Sequence, residues 1–435
     1  MGGERNNGGE ENEAEEANMK QKKISLTLCS SLLALSTAAQ AADWPQYRGP
    51  NQDGIAPEPA ALHSLKPVWK IPANLGFSSF SIAGGVAYTQ VSRDGREMCV
   101  ALDAKTGKEL WATDIGSAKY PGGGDTGAPD NKGGDGPRST PTINDGLVYV
   151  GTQDIVVQAL DAKTGKQVWS HDVMKENAGI NIKWNSAQSP AIEGDLLFVA
   201  GGGPGQSLLA LNKKTGQVAW KTGDEVMTHS TPTLATIHGV RQVIFFLKSG
   251  LVAVAPADGK ELWRYPFEFK TASAINPVVA GDIVYCANGY NIGGGACKVT
   301  KNGDKFSAAK LWFVAENKQA ATIWSTPVAK DGYLYGMFGP KKFGTGPLKC
   351  IDAKTGAVKW EHPGYGCGNL ILVGKTLVAL ADDGHLALVE ATPAAYKEIA
   401  RVKAVAGKCW STPAFANGHV FVRSTKEGAC LAVGP

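Results

Sequence analysis

Seven of the eleven tryptophans recur in one pattern, and that pattern limits what the chain can fold into more than any other feature. Trp69, Trp111, Trp169, Trp220, Trp263, Trp312 and Trp360 follow one another at separations of 42–58 residues, a period that matches a four-stranded propeller blade rather than a helical repeat. A common turn precedes most of them: ALDAKTGK at 101–108 and 159–166, ALNKKTGQ at 210–217 and CIDAKTGA at 350–357. In each, a strand ends at Asp or Asn, whose short side chain accepts backbone N–H bonds in the turn, and Gly supplies the residue with positive φ. The hairpin then leads into the tryptophan strand.

A second periodic unit lies upstream of each turn. It reads STPTINDGLVYVG (139–151), SPAIEGDLLFVAG (189–201), STPTLATIHGVRQVIFFL (230–247), NPVVAGDIVYCA (276–287), STPVAKDGYLYG (325–336) and STPAFANGHVFV (411–422). Two divergent copies, SSFSIAGGVAYTQ (78–90) and NLILVGKTLVAL (369–380), bring the count to eight. Short β-branched and aromatic runs broken by Asp-Gly or Asn-Gly read as paired antiparallel strands, and no long segment of period 3.6 competes with them. The outer strands also number eight once KEIARV (397–402), which lacks Trp, is included. The chain begins with an outer strand, KPVWKI (66–71), and ends with inner strands that have no outer strand of their own. Adding the first strand to the last blade removes both exposed edges. The expected fold is therefore all-β, an eight-bladed β-propeller of four-stranded antiparallel blades closed by an N-terminal outer strand, with 66–435 as one domain.

The remaining residues divide by composition. Residues 1–18 are rich in Glu and almost without apolar side chains, so they read as disordered or as a mis-called start. Residues 19–41 read as a secretory signal peptide, with Lys20, Lys22 and Lys23 before an apolar run and Ala39-Gln40-Ala41 at the cleavage site. Residues 42–65 form an N-terminal arm. The apolar run is too short for a membrane span, and with 43% hydrophobic and 19% charged residues overall no transmembrane segment is expected. A periplasmic or secreted monomer follows. A net charge of +4 over 435 residues, without a long basic run, argues against nucleic acid as a partner. Seven cysteines remain after Cys29 is removed, and aligning 366–380 with 408–422 puts Cys367 and Cys409 at equivalent positions in adjacent blades, as a disulfide or as two packed thiols.

The element A-x-D-x-x-T-G-x-x-x-W resembles the repeat of quinoprotein-type (PQQ-like) β-propellers. WPQYRGPNQDG (44–54), GDGPRSTP (134–141), GVRQV (239–243), DGYLYG (331–336) and GKCWSTP (407–413) are similar to segments of an exported bacterial subgroup. The resemblance covers about residues 44–435 and implies that the Trp packs between neighbouring blades. It leaves function open, because such propellers serve as dehydrogenases and as scaffolds in outer-membrane protein assembly.

Aligning the blades through Ser-Thr-Pro puts Phe77, Arg138, Ala187, His229, Ala274, Trp324, Gly368 and Trp410 at one position around the channel. Gln188 and Asn369 belong to the next position. The candidate ligand-binding residues at the channel mouth are Phe77, Arg138, Gln188, His229, Trp324, Asn369 and Trp410, where aromatics could stack a planar ligand and Arg138 could fork onto an anionic group. The competing reading is that these residues cap the channel and that Ser-Thr-Pro forms turns. Trp44, Tyr47 and Arg48 read mainly as an arm packed over one face. The dehydrogenases that the repeat resembles hold PQQ with calcium, through a Glu, an Asn and a general-base Asp, and many join adjacent cysteines. This chain has no Cys-Cys pair and no carboxylate at the aligned positions, and Asp125, Asp130 and Asp135 in the Gly-rich insertion are the remaining acids. No catalytic residue and no metal site is assigned. The expected function is a binding or scaffold module of the cell envelope, acting on a protein or envelope component or a small planar or anionic ligand, with a PQQ-dependent oxidoreductase of alcohols or sugars as the rival.

Overall fold

The computed structural model describes residues 1–3, 43–56, 62–119, 136–316, 318–339 and 346–434. The expected signal peptide, residues 4–18, and Asp125, Asp130 and Asp135 lie outside them. Eight sheets follow in chain order. Blades 1–7 span residues 81–117, 142–172, 191–222, 233–266, 278–315, 328–362 and 369–403, and blade 8 combines residues 414–434 with the strand Ser64–Pro72. That strand runs antiparallel to Glu427–Gly434 from Ser64 opposite Gly434 to Pro72 opposite Glu427, so the N-terminal outer strand closes the ring. The one helical segment among the described residues is the single turn Val173–Glu176.

The repeated turn has a physical role that runs between blades. In the first copy Asp103 Oδ1 accepts from the Thr106 amide at 2.8 Å and from the Thr106 hydroxyl at 2.7 Å, which fixes the turn. The turn then presents the Ala104 carbonyl to the indole of Trp69 in the preceding blade, whose Nε1–H donates to it at 2.9 Å. The same bond runs from Trp111 to Ala162, Trp169 to Lys213, Trp220 to Pro256, Trp312 to Ala353 and Trp360 to Thr392. The turn glycine lies flat beneath the ring. At Gly107, Gly165, Gly216, Gly259 and Gly356, φ is +71° to +74°, and an added Cβ would stand 2.6–2.9 Å from the indole.

Two departures from the pattern follow from the same geometry. Blade 5 replaces the compact turn by a long hairpin that turns between Asn302 and Lys305, and Trp263 of blade 4 instead donates to Gln242 Oε1 in its own blade at 2.7 Å. In blade 8 the fourth strand comes from residues 64–72, so no turn joins it to the third strand. The matching position in blade 7 is Ala400, opposite Leu388 beside the usual bulge, and it carries no Trp because there is no turn for one to cover.

Nearer the axis, Ser-Thr-Pro forms a belt. The backbone N–H of Ser79 donates to Thr140 Oγ1, Thr140 to Ser189 Oγ, Ser189 to Thr231 Oγ1, Thr231 to Asn276 Oδ1 and Asn276 to Thr326 Oγ1. Thr412 donates to Ser79 Oγ and links blade 8 to blade 1. Each hydroxyl or amide thus satisfies a buried donor of the preceding blade. The belt is interrupted at blade 7, where Leu370 occupies the position and has no acceptor to offer.

The arm crosses the far end of the channel. Trp44 exchanges backbone hydrogen bonds with Ile82 of blade 1, Pro45 O accepts from Ile143 of blade 2, and Gln52 Oε1 accepts from Leu234 of blade 4. The fully buried guanidinium of Arg48 donates to the carbonyls of Thr326 and Pro327 in blade 6 at 2.8 and 2.7 Å and to Asp53 O at 2.8 Å. Ile55–Ala56 then pairs in parallel with Leu372–Val373 of blade 7. One segment therefore ties five blades together before it becomes the outer strand of the eighth. Cys367, Cys409 and the other five cysteines of the propeller are buried thiols, which corrects the disulfide alternative.

Gly165 tests the role of the turn glycine. Its added Cβ would meet Thr113 Oγ1, on the same tryptophan strand, at 2.5 Å and the Trp111 ring at 2.7 Å, whereas Gly95, with φ +73°, faces open space. Gly165→Ala should lose about 2–5 kcal/mol from strain and clash together, and Gly95→Ala about 1 kcal/mol from strain alone. Urea denaturation measures both, and equal losses would mean that the tryptophan slot does not impose the glycine.

Candidate ligand cavity at the channel mouth

The segments that lead into the innermost strands surround a cavity of about 220 Å³. Phe77, Arg138, Ala187, His229, Ala274, Trp324 and Trp410 all line it. Gly368, the eighth residue of that ring, is not among the lining residues: it has no side chain to contribute, and a Cβ there would fall 2.0 Å from Leu380 O. The far side of the cavity is reached by Tyr47 from the arm.

Gln188 and Asn369 are placed elsewhere. Both follow a ring residue directly, and in an extended chain successive side chains point to opposite sides. Gln188 turns into its own blade, where Nε2 donates to Ala200 O and Oε1 accepts from Ala200 N, each at 3.0 Å. Asn369 Nδ2 donates to Trp410 O at 2.7 Å and so positions the backbone of a lining residue without lining the cavity itself.

Arg138 and His229 line the cavity while holding a loop across it. Arg138 donates to Trp184 O at 2.7 Å and His229 Nε2 lies 2.9 Å from Lys183 O. A carbonyl can only accept, so Nε2 carries the proton. Burial, reinforced by the Arg138 charge, pushes the His229 imidazole down to about 4, so the ring is neutral at neutral pH. The loop it holds is strained: Trp184 has φ +66° and Asn185 +58°. Tyr290, at φ +58°, stacks on Trp184 with centroids 6.1 Å apart and planes 23° apart. Such conformations cost of order 1–3 kcal/mol each and persist where surrounding structure imposes them.

A second aromatic wall is built from the ring residues. Phe77 stacks on Trp410 at 4.9 Å and 25°, and Trp324 lies 4.3 Å from Trp410 at 34°. Trp324 is fixed by donating to Cys367 O at 2.9 Å. Lysine ammonium groups lie over both walls, Lys408 at 4.7 Å from Trp410 and Lys183 at 4.7 Å from Trp184.

Trp184 and Tyr290 escaped the sequence reading because both stand on irregular loops with no counterpart in other blades. A signal was present. Four tryptophans fall outside the repeat, namely Trp44, Trp184, Trp324 and Trp410, and the last three all line the cavity.

Among the described residues no Asp or Glu lines the cavity, and no group of three His, Cys, Asp or Glu side chains is arranged to hold a metal ion. The aromatic walls would suit a planar group, but the described lining lacks the charged oxygens that a hard divalent cation requires, so these residues do not fit PQQ with calcium. A buried acid sits behind the Trp184 loop. Glu97 Oε2 accepts from Gln153 N at 3.1 Å, and Gln153 Oε1 accepts from Asn185 Nδ2, also at 3.1 Å. Glu97 Oε1 has no partner among the described residues.

The family model described as outer membrane protein assembly factor BamB matches residues 96–362. The chain belongs to this family of PQQ-like propellers. Family relatives include the outer membrane protein assembly factor BamB of Burkholderia pseudomallei, 29% identical over 54% of this chain and 71% of that protein. A quinoprotein ethanol dehydrogenase of Pseudomonas aeruginosa is 30% identical over 34% of this chain, and the match spans only 26% of the dehydrogenase. Among solved structures, BamB from Moraxella catarrhalis aligns with a TM-score of 0.60 at 16% identity, covering 85% of this chain and 98% of that one. Quinohemoprotein alcohol dehydrogenase ADHIIG from Pseudomonas putida HK5 aligns at 0.64 and 14% identity, covering 90% and 80%. At these identities the PQQ-like propellers share the fold.

Glu97 gives the support of this site a pH signature. Burial, then the neighbouring Asp154, raises its carboxyl from 4.5 to about 8 against the opposing Gln153 N–H and Arg138. The folded state keeps a proton that the unfolded chain releases, so stability is full below pH 4.5 and falls as pH rises through 8. Glu97→Gln should remove that fall and be about 3–5 kcal/mol more stable than the parent at high pH, with little difference at low pH. Superimposable pH profiles of urea stability for the two proteins would contradict a protonated Glu97.

Proposed function

We propose that this chain is a binding and scaffold module of the bacterial cell envelope, exported to the periplasm or beyond, that works as a monomer and engages a protein component of the envelope at its open channel mouth. The observation that carries the reading is the chemistry of that mouth. Its described lining is aromatic, hydroxylic and cationic, with no carboxylate to serve as a base or to ligate calcium. His229 is held neutral and is a weak base. The arm packs beneath the cavity, which leaves a rigid ring with one concave face suited to recognition. The extent of the sequence likeness points the same way, since the match spans 71% of a BamB relative and 26% of a dehydrogenase.

Deleting the gene should lower the amount of folded β-barrel protein in the outer membrane, read as the heat-modifiable band on gels, and the wild-type gene should restore it. The rival oxidoreductase reading predicts dye reduction with alcohols or sugars when PQQ and Ca²⁺ are added to the purified protein. Robust turnover of that kind, with barrel assembly unaffected by the deletion, would overturn the scaffold reading.

A further inference from the structure

The size and lining of the cavity describe what it can admit. Its volume of about 220 Å³ is below the roughly 300–1,000 Å³ of most small-molecule and cofactor sites. The space is left open by Ala187, Ala272 and Ala274, whose side chains stop at Cβ, between the Phe77–Trp410–Trp324 stack and the Trp184–Tyr290 pair. Aromatic rings meet other rings in offset or edge-to-face contact, and a single buried aromatic side chain is the usual anchor of a protein interface. Among the described residues that line or overlie the cavity, the charged groups are cationic. Arg138 lines it, the Lys183 and Lys408 ammonium groups lie over its walls, and no carboxylate is among the described lining residues.

We propose that this cavity receives one aromatic side chain presented by an acidic segment of a partner protein, the ring entering between the two aromatic walls and the flanking carboxylates facing Arg138, Lys183 and Lys408. The inference rests on the scaffold reading and names the chemistry of its partner. Burial of the ring supplies the affinity and the basic rim steers the approach and rejects basic segments. Rigid walls favour this mode, because the Trp184 carbonyl is already held by Arg138 and Trp410 by Asn369, so little order is lost on binding.

The test uses the full-length chain and the blocked peptide acetyl-Glu-Asp-Phe-Asp-Glu-amide, with binding followed by calorimetry and by the change in tryptophan fluorescence. Replacing the peptide's Phe by Ala, or its four acids by Lys, should each weaken binding by about tenfold or more. Raising salt from about 0.05 M to about 0.5 M should weaken the parent peptide several-fold. Ala274→Phe, which fills the cavity, should weaken the parent peptide to the same extent as the loss of its ring, and Ala187→Phe does the same from another blade if the first variant melts early. No binding of the parent peptide, equal binding of the Ala or Lys peptide, or unchanged binding by a folded cavity-filled variant would each overturn the proposal. If the peptide fails while the gene still restores barrel assembly, the proposal falls and the scaffold reading stands. If deletion leaves assembly unaffected, the scaffold reading falls whatever the peptide does.

Discussion

The contact between an indole and the turn of the next blade is the interaction on which the rest of the molecule depends. A four-stranded sheet of this length cannot bury both faces alone, and each blade gains its cover only from its neighbours. The tryptophan supplies apolar area, and its N–H fixes register by finding one particular carbonyl, as Trp69 does with Ala104 and Trp312 with Ala353. The turn answers with a glycine that has no Cβ to strike the ring, at a positive φ that suits it. The sequence motif therefore records an interface between blades: Ala400 stands where blade 8 has no turn to cover, and Trp263, beside the lengthened hairpin of blade 5, turns its N–H to Gln242 in its own blade instead.

Closer to the axis the same problem of joining blades is solved with polar groups. The hydroxyl belt satisfies buried backbone donors from one blade to the next and holds the ring residues at a common height around the channel. A rigid belt permits irregularity just above it. The Trp184 loop can keep left-handed dihedrals because Arg138 and His229 hold its carbonyls from two different blades. These two side chains looked like ligand-binding groups in the sequence; here they face the cavity and also act as positioning residues for one of its walls.

The arm converts an open channel into a cavity closed by packing. Arg48 is the centre of that closure, a buried cation whose donors are taken up by backbone carbonyls instead of a carboxylate, and burial lowers its pKa from the ordinary value. Backbone carbonyls can stabilise a guanidinium by charge-assisted hydrogen bonds from several directions at once, which fixes the arm in position.

The sequence by itself determined the blade count, the strand order within each blade, the closing strand and the ring of residues at the mouth, because all of these repeat. Period-two alternation, Asp-Gly turns and the tryptophan motif are local signals, and eight copies reinforce one another. Only the tertiary structure decided what breaks the repeat. It turned Gln188 and Asn369 away from the cavity, brought Trp184 and Tyr290 together from distant loops, and carried Tyr47 up from an arm whose contacts reach from Ile82 to Leu372 in the chain. Those placements depend on side-chain direction and on long-range backbone bonds, such as Arg48 to Thr326 and Thr412 to Ser79, and neither leaves a period in the sequence to be read.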